Sequence, residues 1–202
     1  MKKIVLLILL ILFSLALFIY CLISDIEYEK NNNDSNENVK ADKILVVYFS
    51  LTGNSGKVAN MIKDITGGDI FEIQPDFDYS KVESMKEMEE LGKEQVENGF
   101  RPELKNSIKD IEAYDLIIIG SPVWWFSVSP PLMSFLSQYD LKDTKVAPFC
   151  TCISHMGDFF TQIKEEIPDA KVLEGLTIYE SDLKDEEEAR ETIEAWLEEL
   201  LE

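Results

Sequence analysis

Residues that bind metals or form disulfide bonds are scarce in this sequence. Its 202 residues include one histidine, His155, and three cysteines. Cys21 lies in an apolar N-terminal run, whereas Cys150 and Cys152 form a C-x-C pair whose side chains would share one face of a strand. A disulfide between the last two would be strained, and no spacing matches a zinc site. The sequence therefore predicts neither a metal centre nor a disulfide framework.

Positive charge is also scarce. The chain has 19 Lys and Arg against 39 Asp and Glu, which gives a net charge of −20. From Glu180 to Glu202, Lys184 and Arg190 are the only bases. Nucleic acids and anionic lipids are bound mainly through Lys and Arg, so this composition argues against both as partners. The excess acid either solvates a helix face or attracts a basic protein partner.

An uncharged run opens the sequence and is long enough to span a bilayer. Residues 4–23 contain no charge, and a helix of this length rises about 30 Å. The run is longer than the apolar part of a secretory signal, and no A-x-A cleavage pattern follows it. We therefore expect residues 1–23 to form a membrane anchor, with Lys2 and Lys3 in the cytoplasm and the rest of the protein outside. There are two alternatives. The segment could be a signal that is cleaved to give a secreted protein, or the chain could be lipidated at Cys21.

The rest of the chain divides into a linker and one domain. Residues 24–42 are polar and predict a flexible linker, and residues 43–202 have the length of a single domain. Short apolar strand patterns alternate with amphipathic helix patterns through this domain. This alternation predicts an α/β fold with a parallel sheet and helices on both faces. The predicted strands are 43–49, 69–73, 114–120, 145–150 and 171–176.

A polar segment connects the first predicted strand to a helix. Ser50, Thr52, Asn54 and Ser55 surround Gly53 there. Hydroxyl groups and the free amides at a helix start can hold a phosphate without Lys or Arg, and glycine allows the backbone to approach. The segment lacks the glycine pattern of a Walker A loop and of a dinucleotide fingerprint. The Gly120-Ser121 pair also replaces the Asp that a phosphoacceptor domain would carry.

Three segments together resemble the flavin-binding loops of the flavodoxin family. They are Tyr48 to Ser55, Gly120 to Trp125, and Ala147 to Thr151. The resemblance implies a flavodoxin-like doubly wound sheet of five parallel strands in the order 2-1-3-4-5, after an N-terminal transmembrane helix. It also implies flavin mononucleotide (FMN) as the cofactor. The implied cofactor-binding residues are Ser50, Thr52, Gly53, Asn54, Ser55, Pro122, Val123, Trp124, Trp125, Phe126 and Thr151.

The third segment departs from the pattern of the family. A glycine-rich stretch is expected after Thr151, but residues 152–156 are Cys-Ile-Ser-His-Met. Glycines would let backbone amides approach the flavin, whereas these bulkier residues reshape that edge of the site. His155 is either an exposed loop residue or a cation near the flavin.

The resemblance leaves three functions open. The first is electron transfer at a membrane, between FMN and a redox partner protein or a small-molecule acceptor. The second is an FMN-dependent NAD(P)H:quinone-type oxidoreductase, and the third is a binding module that has lost FMN. No residue stands out as a catalytic acid, base or nucleophile.

Overall fold

The computed structural model describes residues 43–82 and 84–201. Within them, six parallel strands form one sheet in the order β2-β1-β3-β4-β5, and β6 also pairs with β4. The strands are β1 (Ile44–Tyr48), β2 (Asp69–Glu72), β3 (Leu116–Pro122), β4 (Lys145–Cys152), β5 (Lys171–Val172) and β6 (Leu176–Tyr179). The predicted parallel α/β fold and its strand order are confirmed.

The helices lie between the strands and after the last one. They are α1 (Asn54–Thr66), α2 (Met85–Glu97), α3 (Pro130–Leu136), α4 (Phe159–Glu166) and α5 (Glu186–Leu201). Their ends follow local signals. Gly67, at φ 69°, ends α1, Ser84 caps α2, and prolines occupy the first turn of α3.

Two apolar layers cover the two faces of the sheet. Alternate side chains of β1 and β3 point to opposite faces, as strand geometry requires. Val46 and Ile118 pack with residues of α1 and α5, whereas Val47 and Ile119 pack with residues of α3 and α4. Burial on both faces explains why these strands read as continuous apolar runs.

The C-terminal edge strand differs from its prediction. The sequence suggested one strand over 171–176, but β5 and β6 are separate short strands that both pair with β4. Between them, the carbonyl of Glu174 accepts a hydrogen bond from the Trp196 indole over 3.1 Å. Gly175 lies so close to Phe160 that an added Cβ would fall 2.4 Å from that ring. Packing against helices thus interrupts the strand pairing.

The fourth strand is longer than the sequence indicated. It continues through Thr151 and Cys152 because residues 149–152 pair with β6. The third loop therefore begins at Ile153 and not at Thr151. This places Thr151 on a fixed strand end, directly opposite Pro122 of β3.

The predicted anchor and linker, residues 1–23 and 24–42, lie outside the described residues. Among residues 43–82 and 84–201, no helix is long and apolar enough to cross a membrane.

The topology brings three loops to one edge of the sheet. The chain runs from β1 to β2 on one side and then to β3 on the other side of β1. Ligands of such sheets bind at the carboxyl ends of the strands where this reversal occurs. The segments after β1, β3 and β4, namely 49–53, 123–129 and 153–158, all leave from that end.

Candidate functional site

The segment after β1 forms a turn at the start of α1 whose geometry suits an anion. Gly53 has φ 96° and is the N-cap of α1, and no side chain among residues 43–82 and 84–201 caps the helix there. Its carbonyl accepts the first helical hydrogen bond, from the Lys57 amide over 2.9 Å. The amides of the first turn are therefore left for another acceptor, and the positive end of the helix dipole favours an anion.

Ser50 contributes a hydroxyl group that the fold does not use. Its Oγ is buried and has no hydrogen-bond partner among the described residues. A buried polar atom without a partner costs about 1–3 kcal/mol, so such atoms are uncommon unless a ligand or water satisfies them. Thr52 is exposed and Asn54 is half-buried beside it. This set of donors fits a phosphate group.

Ser55 and Thr151 join the first site segment to the end of β4. Their hydroxyl oxygens are 2.7 Å apart, and the two residues are 1% and 4% exposed. The sequence suggested that each would contact a ligand, but it did not suggest that they contact each other. This hydrogen bond holds the start of α1 against the strand that leads to the third loop.

The segment after β3 is a tight hairpin. Trp124 and Ser127 form two backbone hydrogen bonds, of 2.8 and 3.0 Å, across a turn made by Trp125 and Phe126. Both turn residues have positive φ, 48° and 59°. Bulky residues rarely adopt this conformation, and strained turns of this kind are concentrated at functional sites.

The hairpin separates the aromatic residues that were predicted together. Trp124 is only 5% exposed, and its indole N–H donates to Gln95 Oε1 over 3.1 Å. Trp125 is half-buried, whereas Phe126 is 56% exposed. The faces that reach solvent therefore belong to Trp125 and Phe126, and Trp124 fixes the base of the hairpin.

The third loop packs directly on the hairpin. The Asp158 amide donates to the Phe126 carbonyl over 3.0 Å. Gly157, with φ 59°, lies so close that an added Cβ would fall 2.0 Å from the same carbonyl oxygen. Gln162 of α4 accepts hydrogen bonds from Ser127 Oγ and from the Val128 amide. The two loops are thus held as one unit.

A cleft of about 640 Å³ opens between these loops and α2. This volume is within the range of ordinary small-molecule sites. Met88 and Gly92 of α2 form one side, and the other lining residues come mainly from the two loops, Val123, Trp124, Trp125, Phe126, Cys152, Ile153, Ser154 and His155. The walls are mostly apolar, so the cleft suits a flat, apolar ring system. The turn at the start of α1 lies at the same end of the sheet.

The cysteines contribute no reactive thiolate to this region. Burial raises the pKa of Cys150 to about 12, and burial also raises the pKa of Cys152. Both thiols stay protonated at neutral pH and pack as small apolar groups. In the described part of the chain, no group of His, Cys, Asp and Glu side chains could hold a metal ion.

Two glutamines hold the site, and their roles are weakly marked in the sequence. Gln95 is 4% exposed. The only feature of the sequence that points to it is that a polar residue lies among the apolar residues on the buried side of α2. Gln162 of α4 carries no such signal, because its partners, Ser127 and the Val128 amide, are more than thirty residues away.

The family of this chain is identified by comparison with known proteins. The family model described as Flavodoxin matches residues 43–200, which include the whole sheet and all three loops. The chain belongs to the flavodoxin family. No curated protein matches it.

Solved structures of bacterial proteins share the fold of this flavodoxin-family domain. A protein provisionally designated a flavoprotein, from Bacteroides eggerthii, is 27% identical with a TM-score of 0.67, and the match covers 78% of this chain and 97% of that one. A similarly designated protein from Bacteroides uniformis is 24% identical with a TM-score of 0.65, covering 77% and 97%. A flavoprotein from Lactobacillus acidophilus, solved in complex with FMN, is 23% identical with a TM-score of 0.59, covering 70% and 96%.

Proposed function

We propose that this protein binds FMN and transfers electrons through it. The observation that carries the proposal is the buried Ser50 hydroxyl, which has no hydrogen-bond partner among the described residues, beside the glycine N-cap of α1. A phosphate group would satisfy both the hydroxyl and the free amides, and the apolar cleft at the same end of the sheet would accept a flat ring. FMN combines these two parts. The Lactobacillus flavoprotein, which shares the fold, was solved with FMN.

The proposed site has a phosphate end and a ring end. Residues 50–55 would hold the phosphate, with Thr151 supporting Ser55 through the 2.7 Å hydrogen bond. Residues 122–126 would contact the ring, with Trp125 and Phe126 offering aromatic faces. When bound, FMN supplies a ring that accepts and releases one or two electrons.

The side chains around the ring end would exclude water and fix its position. The hairpin is held from α2 by Gln95, from α4 by Gln162, and from the third loop by the Asp158 amide. A site built on such fixed elements loses little conformational entropy when the ring binds. Its apolar walls strengthen each polar contact made within them.

Absorption spectroscopy tests this proposal. The full chain, purified in mild detergent because residues 4–23 are apolar, should show flavin absorption and should bind FMN far more tightly than riboflavin. Riboflavin shares the ring but lacks the phosphate, so it is the matched ligand control. Protein that binds neither ligand would refute the proposal, and equal affinities would refute the assigned phosphate site.

A second candidate function is reduction of a small, flat acceptor with NADH or NADPH as donor. The observation that favours it is that residues of α2, Met88 and Gly92, also line the cleft, so the cleft has a wall beyond the two loops. A carrier needs an exposed flavin edge, whereas an enzyme needs a pocket over the ring. Steady-state oxidation of NADH or NADPH with a quinone would support the enzyme. Reduction only by a partner protein would support the carrier.

We also propose that residues 4–23 hold the domain at a membrane, on its outer side. Their lack of charge and the preceding Lys2 and Lys3 support this orientation. Electrons would then pass to a redox partner protein or a small acceptor outside the cytoplasm. Membrane fractionation with added protease tests the proposal. The full chain should sediment with membranes and be digested in intact spheroplasts, whereas a soluble or protected domain would contradict it.

A further inference from the structure

The third loop holds the single histidine of the sequence in a defined orientation. The Gly157 amide donates to Nδ1 of His155 over 2.7 Å, and the imidazole makes an edge contact with Phe126 at 6.4 Å between ring centroids. A ring nitrogen that accepts a hydrogen bond carries no proton, so the proton of the neutral imidazole is on Nε2. The backbone of this loop therefore fixes the tautomer and leaves Nε2–H as a donor.

His155 lines a cleft that has few other donors. The indole N–H of Trp124 is already used within the core, and the Lys86 side chain, which pairs with Glu90 at 3.6 Å, is 84% exposed to water. Ser154 is the neighbouring hydroxyl. Among the described residues, Nε2 of His155 has no hydrogen-bond partner, and the imidazole is exposed. A flat ligand in the cleft can therefore reach this N–H without displacing a protein contact.

We propose that Nε2–H of His155 donates a hydrogen bond to an oxygen or nitrogen on the edge of the ring system bound in the cleft. This inference rests on the proposed function, under which that ring is the isoalloxazine of FMN. Residues 152–156 lack the glycines that would let backbone amides approach, and the imidazole supplies a donor in their place. A donor at this edge also stabilises negative charge gained by the ring on reduction.

Two substitutions separate the donor from the turn that holds it. In His155→Asn, the side-chain oxygen can accept from the amide two residues later, which preserves the turn but removes the Nε2 donor. In His155→Gln, the longer side chain places an amide N–H near the position of Nε2. Loss of one hydrogen bond should weaken FMN binding about fivefold in His155→Asn. His155→Gln should recover most of that affinity, and Met156→Leu is the control within the same loop.

Nitrogen NMR of the unmodified imidazole gives a readout that is independent of activity. The full chain, labelled with ¹⁵N-histidine and purified without a histidine tag, has a single imidazole to observe. Before FMN is added, Nε2 should carry the proton and Nδ1 should not. Saturating FMN should shift the Nε2–H signal and slow its exchange with water.

The outcomes distinguish this inference from the function on which it rests. Two results would overturn the role of His155 alone. One is an imidazole that carries its proton on Nδ1. The other is FMN binding that leaves the imidazole signals unchanged, together with an FMN affinity of His155→Asn equal to that of the wild type. A wild-type chain that binds no FMN would overturn the proposed function as well. A lower midpoint potential of the bound flavin in His155→Asn, restored in His155→Gln, would support the donor role.

Discussion

The contact between the third loop and the aromatic hairpin allows a quantitative test with a matched control. Gly157→Ala places a Cβ 2.0 Å from the Phe126 carbonyl oxygen at a residue with φ 59°. Gly99 has the same φ of 59° but no atom within 4 Å of an added Cβ. Both substitutions incur the cost of the left-handed conformation, about 1 kcal/mol. Only Gly157→Ala adds a backbone clash.

The clash should separate the two loops. A contact at 2.0 Å must open by more than about 1 Å to reach van der Waals distance. That movement breaks the hydrogen bond from the Asp158 amide to the Phe126 carbonyl, which is worth about 1 kcal/mol. With the strain of moving the backbone, we expect Gly157→Ala to lower the free energy of unfolding by about 3 kcal/mol. Gly99→Ala should lower it by about 1 kcal/mol.

Urea unfolding would measure the free energy of unfolding of both variants, and thermal unfolding followed by circular dichroism would measure their midpoint temperatures. An FMN titration would report the state of the cleft. We expect the apparent midpoint temperature to fall by about 6–12 °C for Gly157→Ala and about 2–4 °C for Gly99→Ala. FMN binding should weaken only in Gly157→Ala. Equal destabilisation by the two substitutions, with unchanged FMN affinity, would refute the close packing of these loops and the cleft that depends on it.

Three further predictions follow from single contacts. Ser50→Ala removes a hydroxyl that has no partner in the described part of the chain, so the ligand-free stability should not fall, whereas FMN affinity should drop at least tenfold. An equal loss of riboflavin affinity would argue against a phosphate role. Because burial raises the pKa of Cys150 from 9.0 to about 12, the folded state keeps a proton that the unfolded state releases. This stabilisation is complete below about pH 9 and is lost as the pH rises through 12. The free energy of unfolding should therefore fall less steeply with pH in this range in Cys150→Ala than in the wild type. An unchanged slope would contradict the raised pKa of Cys150. A double-mutant cycle of Ser55→Ala and Thr151→Val should give a coupling of about 1 kcal/mol in urea unfolding, and additive effects would contradict their hydrogen bond.

The elements that could be predicted are those specified by local pattern. Continuous β-branched runs predicted β1 and β3, because both faces of these strands are covered by helices. The turn of residues 50–55 was predicted because glycine and hydroxyl residues between a strand and a helix have a limited set of conformations. The strand order came from the resemblance, since pairing between distant segments leaves no local signal.

The break between β5 and β6 was missed for a physical reason. Residues 171–176 have a suitable strand composition, and what interrupts them is packing by Trp196 and Phe160. The same limit applies to the aromatic pair of the hairpin. Nothing in the sequence distinguishes Trp124 from Trp125, and only the positive φ of the turn and the Gln95 hydrogen bond send one ring inward and leave the other at the cleft.

The sequence by itself determined the alternation of strands and helices, the polar turn after β1 and, to within two residues, the start of the loop after β4. Tertiary structure decided how those loops fit together. Ser55 and Thr151 are 96 residues apart, and Gly157 contacts Phe126 only because β3 and β4 end side by side. Such contacts depend on how separate elements are positioned relative to one another. Burial of both faces of the sheet fixes these positions, and no local pattern of residues predicts them.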